Sequence, residues 1–147
     1  MDRYDRLFVL AAFCLQIVLI AYFALRKWDF DLALQWGWLV YALALPAVVV
    51  SLVLLLGGKP WYLWAAGFLF AAWAVFGYVV DIARPIAWRA PLHWPVFMPY
   101  VLLYLASVMF YWWPLGLLSR PLWYVYAALF VVSTFLNVSS HAYREMP

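Results

Sequence analysis

The stretch WYLWAAGFLFAAWAVFGYVV, residues 61–80, contains twenty residues and no charged side chain. A helix needs about 20 mostly apolar residues to cross the hydrocarbon core of a bilayer, so this stretch predicts a spanning helix. Within it Gly67, Ala71 and Ala74 are spaced i, i+4 and i+7, which places three small residues on one face. Helices in lipid associate by close packing and not by exclusion of water. The ridge therefore predicts that this helix is central to a bundle.

Four more apolar stretches of similar length lie on either side of this one. We predict spans at residues 7–25, 35–56, 61–80, 96–118 and 122–140. Pro46 should bend the second span because it removes a helical hydrogen bond, and Pro99 lies in the predicted first turn of the fourth, where proline is tolerated. The composition agrees, with 71% hydrophobic and 10% charged residues. The prediction is an all-α, multi-pass integral membrane bundle of five transmembrane helices that forms one domain over residues 1–147.

An odd number of spans places the termini on opposite sides of the membrane and divides the charged residues between two boundaries. One boundary receives Arg26, Lys27, Asp29, Asp31, Asp81, Arg84, Arg89, His93, His141, Arg144 and Glu145. The other receives Asp2, Arg3, Asp5, Arg6, Lys59 and Arg120. The cations divide five against four, so the positive-inside rule favours neither orientation. Both histidines fall on the first boundary, which makes it the better candidate for a site.

The segment DIARPIAWRAPLHWP, residues 81–95, interrupts the apolar pattern with charge, proline and histidine. Asp81 and Arg84 are three residues apart, so they can pair if the third helix continues that far. Pro85 should then end the helix. Two interpretations remain open: a neutralised helix end, or the anchor of a bound headgroup or ligand.

Two further groups of polar residues are predicted at the same boundary. His93 opens the fourth span and His141 closes the fifth, and neither has the HxxxH or Cys spacing of a metal site. We predict no metal site, although the sequence leaves shared metal or haem ligation by the two imidazoles open. A polar stripe in the fifth span should face protein or a water-filled cavity; it consists of Ser133, Asn137 and Ser140. Gln16 and Ser107 are also expected to turn inward.

The eleven tryptophans follow the pattern of membrane-interface belts. All except Trp73 lie at or near predicted span ends, where the amphipathic indole prefers the headgroup region. The single cysteine, Cys14, lies inside the first span and has no partner for a disulfide within the chain. These residues therefore support the predicted spans and do not by themselves indicate a binding site.

The sequence excludes some functions better than it identifies one. An enzyme needs a nucleophile, base or metal set at usable spacing, and an ion pump needs charge within the hydrocarbon; neither is present in the predicted spans. The cations are not clustered on one basic face, which argues against nucleic acid. We predict a non-enzyme.

In length, in its five spans and in its content of Trp and Pro the chain resembles the tryptophan-rich sensory protein, or translocator protein, family. The resemblance is architectural, since the family's Pro-Pro and Trp-rich first connection is absent from RKWDFDLALQWGW, residues 26–38. No residue role is carried over.

We predict that the bundle binds an apolar or amphipathic small molecule or a lipid, with the bilayer as its environment and no cofactor identified. The expected ligand-binding residues are Asp81, Arg84, Arg89, His93, Asn137 and His141. The alternative is a structural or assembly subunit, within a homo-oligomer or beside a membrane protein partner.

Overall fold

The computed structural model describes residues 1–84, 86 and 91–142, with side chains described up to Ser140. These residues form helices and turns and contain no strand. The helices are α1 (Arg3–Trp28), α2 (Phe30–Trp36), α3 (Trp38–Ala42), α4 (Ala44–Leu56), α5 (Trp61–Tyr78), a π-helical turn (Val79–Ala83), α6 (Trp94–Leu118) and α7 (Arg120–Ala142).

Five helical segments of the described chain are long and apolar enough to cross a membrane. They are Arg3–Trp28, Phe30–Leu56, Trp61–Ala83, Trp94–Leu118 and Arg120–Ser140. The predicted all-α bundle of five transmembrane helices is confirmed in this sense. Each segment extends beyond its predicted bounds, because helices can include charged and capping residues that lie outside the hydrocarbon.

The start of α1 shows how polar residues fix the end of a spanning helix. The Asp2 carboxylate accepts hydrogen bonds from the backbone N–H groups of Tyr4 and Asp5, and the Asp5 carboxylate accepts one from the backbone of Asp2. This reciprocal capping box satisfies N–H groups that a helix start leaves without partners. It places the helix start four residues before the first apolar residue of the predicted span.

The second span is divided into three helices by irregularities at Gly37 and Leu43. Pro46 lies in the first turn of α4, where a missing N–H costs little because those groups lack helical partners. The helix is interrupted at Leu43, three residues before Pro46, where α3 ends and α4 begins.

Close packing of α4 against α5 centres on Gly67. A Cβ atom built on Gly67 would overlap both the backbone carbonyl oxygen of Ala47 and the hydroxyl of Ser51. Ala74, further along the predicted ridge, is also buried, while Ala71 is half-buried. Since α5 packs extensively against both α4 and α6, it is the central helix of the bundle.

The bundle has two ends, which we name after a charged residue at each. The Lys59 end contains the start of α1, the connection between α4 and α5, and Ser119 between α6 and α7. The Asp81 end contains Asp29 between α1 and α2, the π-helical turn, the start of α6 and the end of α7.

Between the two ends the core is largely apolar. Its largest fully buried side chains include Tyr126, Phe8 and Phe70. Gln16 and Ser107 are buried, at 0% and 1% exposure, as expected from the sequence.

Candidate functional site at the Asp81 end

The structure locates four of the six predicted ligand-binding side chains. Asp81 lies in the π-helical turn, Arg84 directly follows it, His93 immediately precedes α6, and Asn137 lies in α7. Arg84 and His93 are exposed, whereas Asp81 and Asn137 are half-buried. Arg89 and the side chain of His141 lie outside the described residues.

Asp81 contacts a tyrosine from another span. The Tyr41 hydroxyl donates a hydrogen bond of 2.5 Å to the Asp81 carboxylate. Tyr41 comes from α3, and its ring packs so closely on Gly77 of α5 that a Cβ atom on Gly77 would strike it. The carboxylate is thus held at the boundary between the second and third spans.

The predicted pairing of Asp81 with Arg84 along the helix is not found, although both residues are described. The backbone N–H of Arg84 bonds the carbonyl of Val79, five residues earlier, at 2.8 Å. This i→i+5 bond adds one residue to the turn and changes the spacing on which an i, i+3 contact of an α-helix depends. Arg84 is exposed, and Tyr41 is a partner of the carboxylate.

Arg26, in the last turn of α1, is the main polar residue that sequence reasoning missed. Its Nη2 donates to the Asn137 side-chain oxygen at 2.5 Å and to the Asn137 carbonyl at 3.3 Å. Its Nε and Nη2 reach the Ser140 hydroxyl at 2.9 and 2.6 Å. The polar stripe of α7 therefore faces α1, as predicted from its composition, and two of its residues bind the guanidinium of Arg26.

A signal for this role of Arg26 was present in the sequence. Arg26 comes three residues after Phe23 and seven after Leu19, both of which are buried. It continues the inward face of α1, although its charge alone predicts a place in the connection. The stripe at Asn137 and Ser140 lacked a donor in the predicted scheme, and Arg26 supplies one.

Several buried polar atoms near the middle of the bundle have no hydrogen-bond partner within the described residues. They are Gln16 Oε1, Trp73 Nε1, Tyr104 Oη and Ser133 Oγ. The Tyr104 hydroxyl lies within reach of the Ser133 hydroxyl, so these two groups can pair with each other. A buried polar atom without a partner typically costs about 1–3 kcal/mol, so Gln16 Oε1 and Trp73 Nε1 favour a bound water or ligand atom.

Trp73 lies at the centre of an aromatic cluster below the Asp81 end. Its ring centroid is 5.5 Å from Phe70 and Tyr104, 5.7 Å from Tyr100 and 6.0 Å from Tyr41. Tyr41 belongs both to this cluster and to the hydrogen bond with Asp81. The cluster therefore connects the boundary carboxylate with the unpartnered indole N–H.

The charges of the Lys59 end are arranged differently. The Lys59 ammonium lies 2.7 Å from carboxylate oxygens of both Asp2 and Asp5. The hydrogen bond from Lys59 lowers the pKa of the Asp2 carboxyl, and the bonds to Asp2 and Asp5 raise the pKa of Lys59. This triad joins α1 to the connection before α5, and one ammonium between two carboxylates leaves it with a net charge of −1.

No group of three or more His, Cys, Asp or Glu that could hold a metal occurs in the part of the chain that the structure describes. The side-chain contacts shown at the Asp81 end are hydrogen bonds: Tyr41 donates to the Asp81 carboxylate, and the Arg26 guanidinium donates to Asn137 and Ser140. No family model, curated protein or solved structure matches the chain.

Proposed function

We propose that the chain is a multi-pass integral membrane protein that binds an amphipathic small molecule or lipid from the Asp81 end and has no enzymatic activity. The observation that supports this proposal is the unpartnered indole N–H of Trp73, which is 3% exposed and lies inside the aromatic cluster. An N–H in that position favours a ligand that carries an acceptor oxygen.

The surrounding groups favour a molecule with an apolar body and a polar end. The rings of Phe70, Tyr100 and Tyr104 offer apolar and aromatic contact to the body. At the membrane boundary, the Tyr41–Asp81 pair offers hydrogen-bonding atoms to the polar end. Binding sites for such ligands are typically apolar with a few well-placed polar groups.

The test is retention of co-purified small molecules by the full chain in mild detergent, measured by native mass spectrometry and by extraction. Trp73→Phe keeps an aromatic ring in place and removes the N–H. The loss of one hydrogen bond, about 1 kcal/mol, should reduce retention roughly fivefold.

Asp81→Ala should also reduce retention, and Asp2→Ala is its matched control at the opposite end. Arg84→Ala is expected to act in the same direction as Asp81→Ala, with Arg120→Ala as its control. Equal retention by all of these variants would remove the proposed site. A chain that is stable only within a larger assembly, and that retains no small molecule, would favour the structural-subunit alternative.

A further inference from the structure

A wholly apolar groove lies on the outer surface of the bundle between α1 and the second span. It has a volume of about 280 Å³, and its accessible lining is entirely apolar. From α1 it is lined by Leu7, Leu10, Cys14 and Val18, and from the second span by residues that include Pro46 and Val50. The groove opens beside the irregularity at Leu43, where α3 ends and α4 begins.

The groove has the length of one bilayer leaflet. Leu7 and Val18 are eleven residues apart on one helix, which corresponds to about 16 Å at 1.5 Å per residue. That is roughly half of the 30 Å hydrocarbon core. The groove begins near the Lys59 end and stops near the middle of α1, so it would lie within the leaflet on that side.

A cation lies above the start of the groove. Arg3 is one turn before Leu7, and its guanidinium donates to the Tyr4 hydroxyl at 3.0 Å and lies 4.8 Å over the Tyr4 ring. The Tyr4 ring in turn packs against Gly57, at the end of α4, so closely that a Cβ atom there would strike it. Arg3 is therefore placed over the gap between α1 and the second span.

Arg3 and the neighbouring Lys59 differ in how their positive charges are paired. Lys59 is bound by two carboxylates, whereas Arg3 is exposed and forms no ion pair with any described carboxylate. A guanidinium can bind two phosphate oxygens at once, which suits a phosphate at the membrane surface.

We propose that this groove binds one anionic phospholipid, with an acyl chain between α1 and the second span and the phosphate against Arg3. The apolar lining matches a hydrocarbon chain, the length matches one leaflet, and the cation stands where the headgroup would lie. A helix of a second copy is a poorer occupant, because close helix contacts in membranes use small residues and bulky residues such as Leu7, Leu10 and Val18 line this groove. The site is separate from the one proposed at the Asp81 end.

The experiment titrates the full chain in detergent with dioleoylphosphatidylglycerol or dioleoylphosphatidylcholine and counts bound lipids by native mass spectrometry. One phosphatidylglycerol should bind more tightly than the rest and at least fivefold more tightly than phosphatidylcholine. Arg3→Gln should abolish this preference, whereas Arg120→Gln, an exposed cation at the same end, should preserve it.

A second set of variants tests the groove itself. Cys14→Phe should fill it and displace both lipids, whereas Val131→Phe adds the same ring at an exposed position of α7 and should have no effect. If Cys14→Phe does not fold, N-cyclohexylmaleimide attached to the single, exposed Cys14 of the folded wild-type protein blocks the groove instead.

Several results would overturn the proposal. Equal effects of Arg3→Gln and Arg120→Gln would indicate general surface charge and no site. Unchanged lipid binding after Cys14 is blocked would exclude the groove. Conversion of a dimer to a monomer by the same block would show that a second copy occupies it. Retention of a molecule at the Asp81 end should be unaffected by these changes, so the two proposals fail independently.

Discussion

Replacement of Gly67 by alanine should destabilise the bundle because it separates α4 from α5. The new methyl group would overlap the carbonyl oxygen of Ala47 and the hydroxyl of Ser51. Alanine favours the helix over glycine by about 1 kcal/mol, but overpacking costs about 1–3 kcal/mol. The cost should lie in the upper part of that range, because one of the overlapped atoms belongs to a backbone and cannot rotate away. We expect a net loss of about 1–2 kcal/mol.

The free energy of unfolding can be measured by titrating the reconstituted protein in mixed micelles with dodecyl sulfate and following tryptophan fluorescence and helicity. Gly116→Ala is the matched control, since its Cβ atom would meet only the edge of the Trp123 ring, at 3.0 Å. That side chain can shift, so we expect a change within about 0.5 kcal/mol.

A double variant distinguishes the two overlapped atoms. Ser51→Ala combined with Gly67→Ala removes the hydroxyl and leaves the Ala47 carbonyl in place, so it should recover only part of the lost stability. A Gly67→Ala protein as stable as the wild type would refute the conclusion that α4 and α5 meet in backbone contact.

Three further outcomes are expected. Arg26→Gln and Asn137→Ala should each destabilise the protein by about 1 kcal/mol, and a double-mutant cycle should show coupling of about 0.5 kcal/mol or more; additive effects would exclude the contact. The stabilisation of wild type over Lys59→Met should be constant near neutral pH. Because the pKa of Asp2 is lowered, the stabilisation that Asp2 contributes should fade as the pH drops below the ordinary carboxyl value of 3.8. Because the pKa of Lys59 is raised, the stabilisation that Lys59 contributes should fade as the pH rises above about 10.5. A thermal-unfolding difference that is the same at pH 3 and pH 7 would contradict the Asp2 contribution. A nitroxide attached to Cys14 and reconstituted in vesicles should be more accessible to oxygen than to a water-soluble nickel complex, and the reverse would place α1 outside the bilayer.

The spans could be predicted because their signal is local. Twenty uncharged residues in succession need no knowledge of neighbouring helices, and the small residues of the ridge already indicate the close contact at Gly67. The burial of Gln16 and Ser107 could also be predicted, because lipid offers an amide or a hydroxyl no hydrogen-bond partner.

The polar contacts between spans could not be predicted, because they depend on helix rotation and on local irregularity. Tyr41 lies two residues before the interruption at Leu43, and its partner Asp81 lies in the π-helical turn that ends the third span. Pro46 is a local signal for the interruption at Leu43, but the π-helical turn has no local signal as strong as the apolar runs. The charge of Arg26 predicts a connection, whereas its spacing from the buried Phe23 puts it on the inward face of α1.

The two halves of the bundle differ in a way that bears on how a ligand could reach its centre. Toward the Lys59 end, the interior is closed by apolar side chains with exposures of 3% or less, namely Leu54, Leu63 and Leu115.

Toward the Asp81 end, the interior carries the Tyr41–Asp81 pair and the guanidinium of Arg26. The unpartnered N–H of Trp73 lies between these two halves, near the middle of the third span. A water molecule or a ligand oxygen that reaches this N–H through the apolar half must give up its hydrogen bonds on the way. Through the polar half it can exchange them for hydrogen bonds with protein groups. For the binding site that we propose, entry from the Asp81 end is therefore the route of lower free energy.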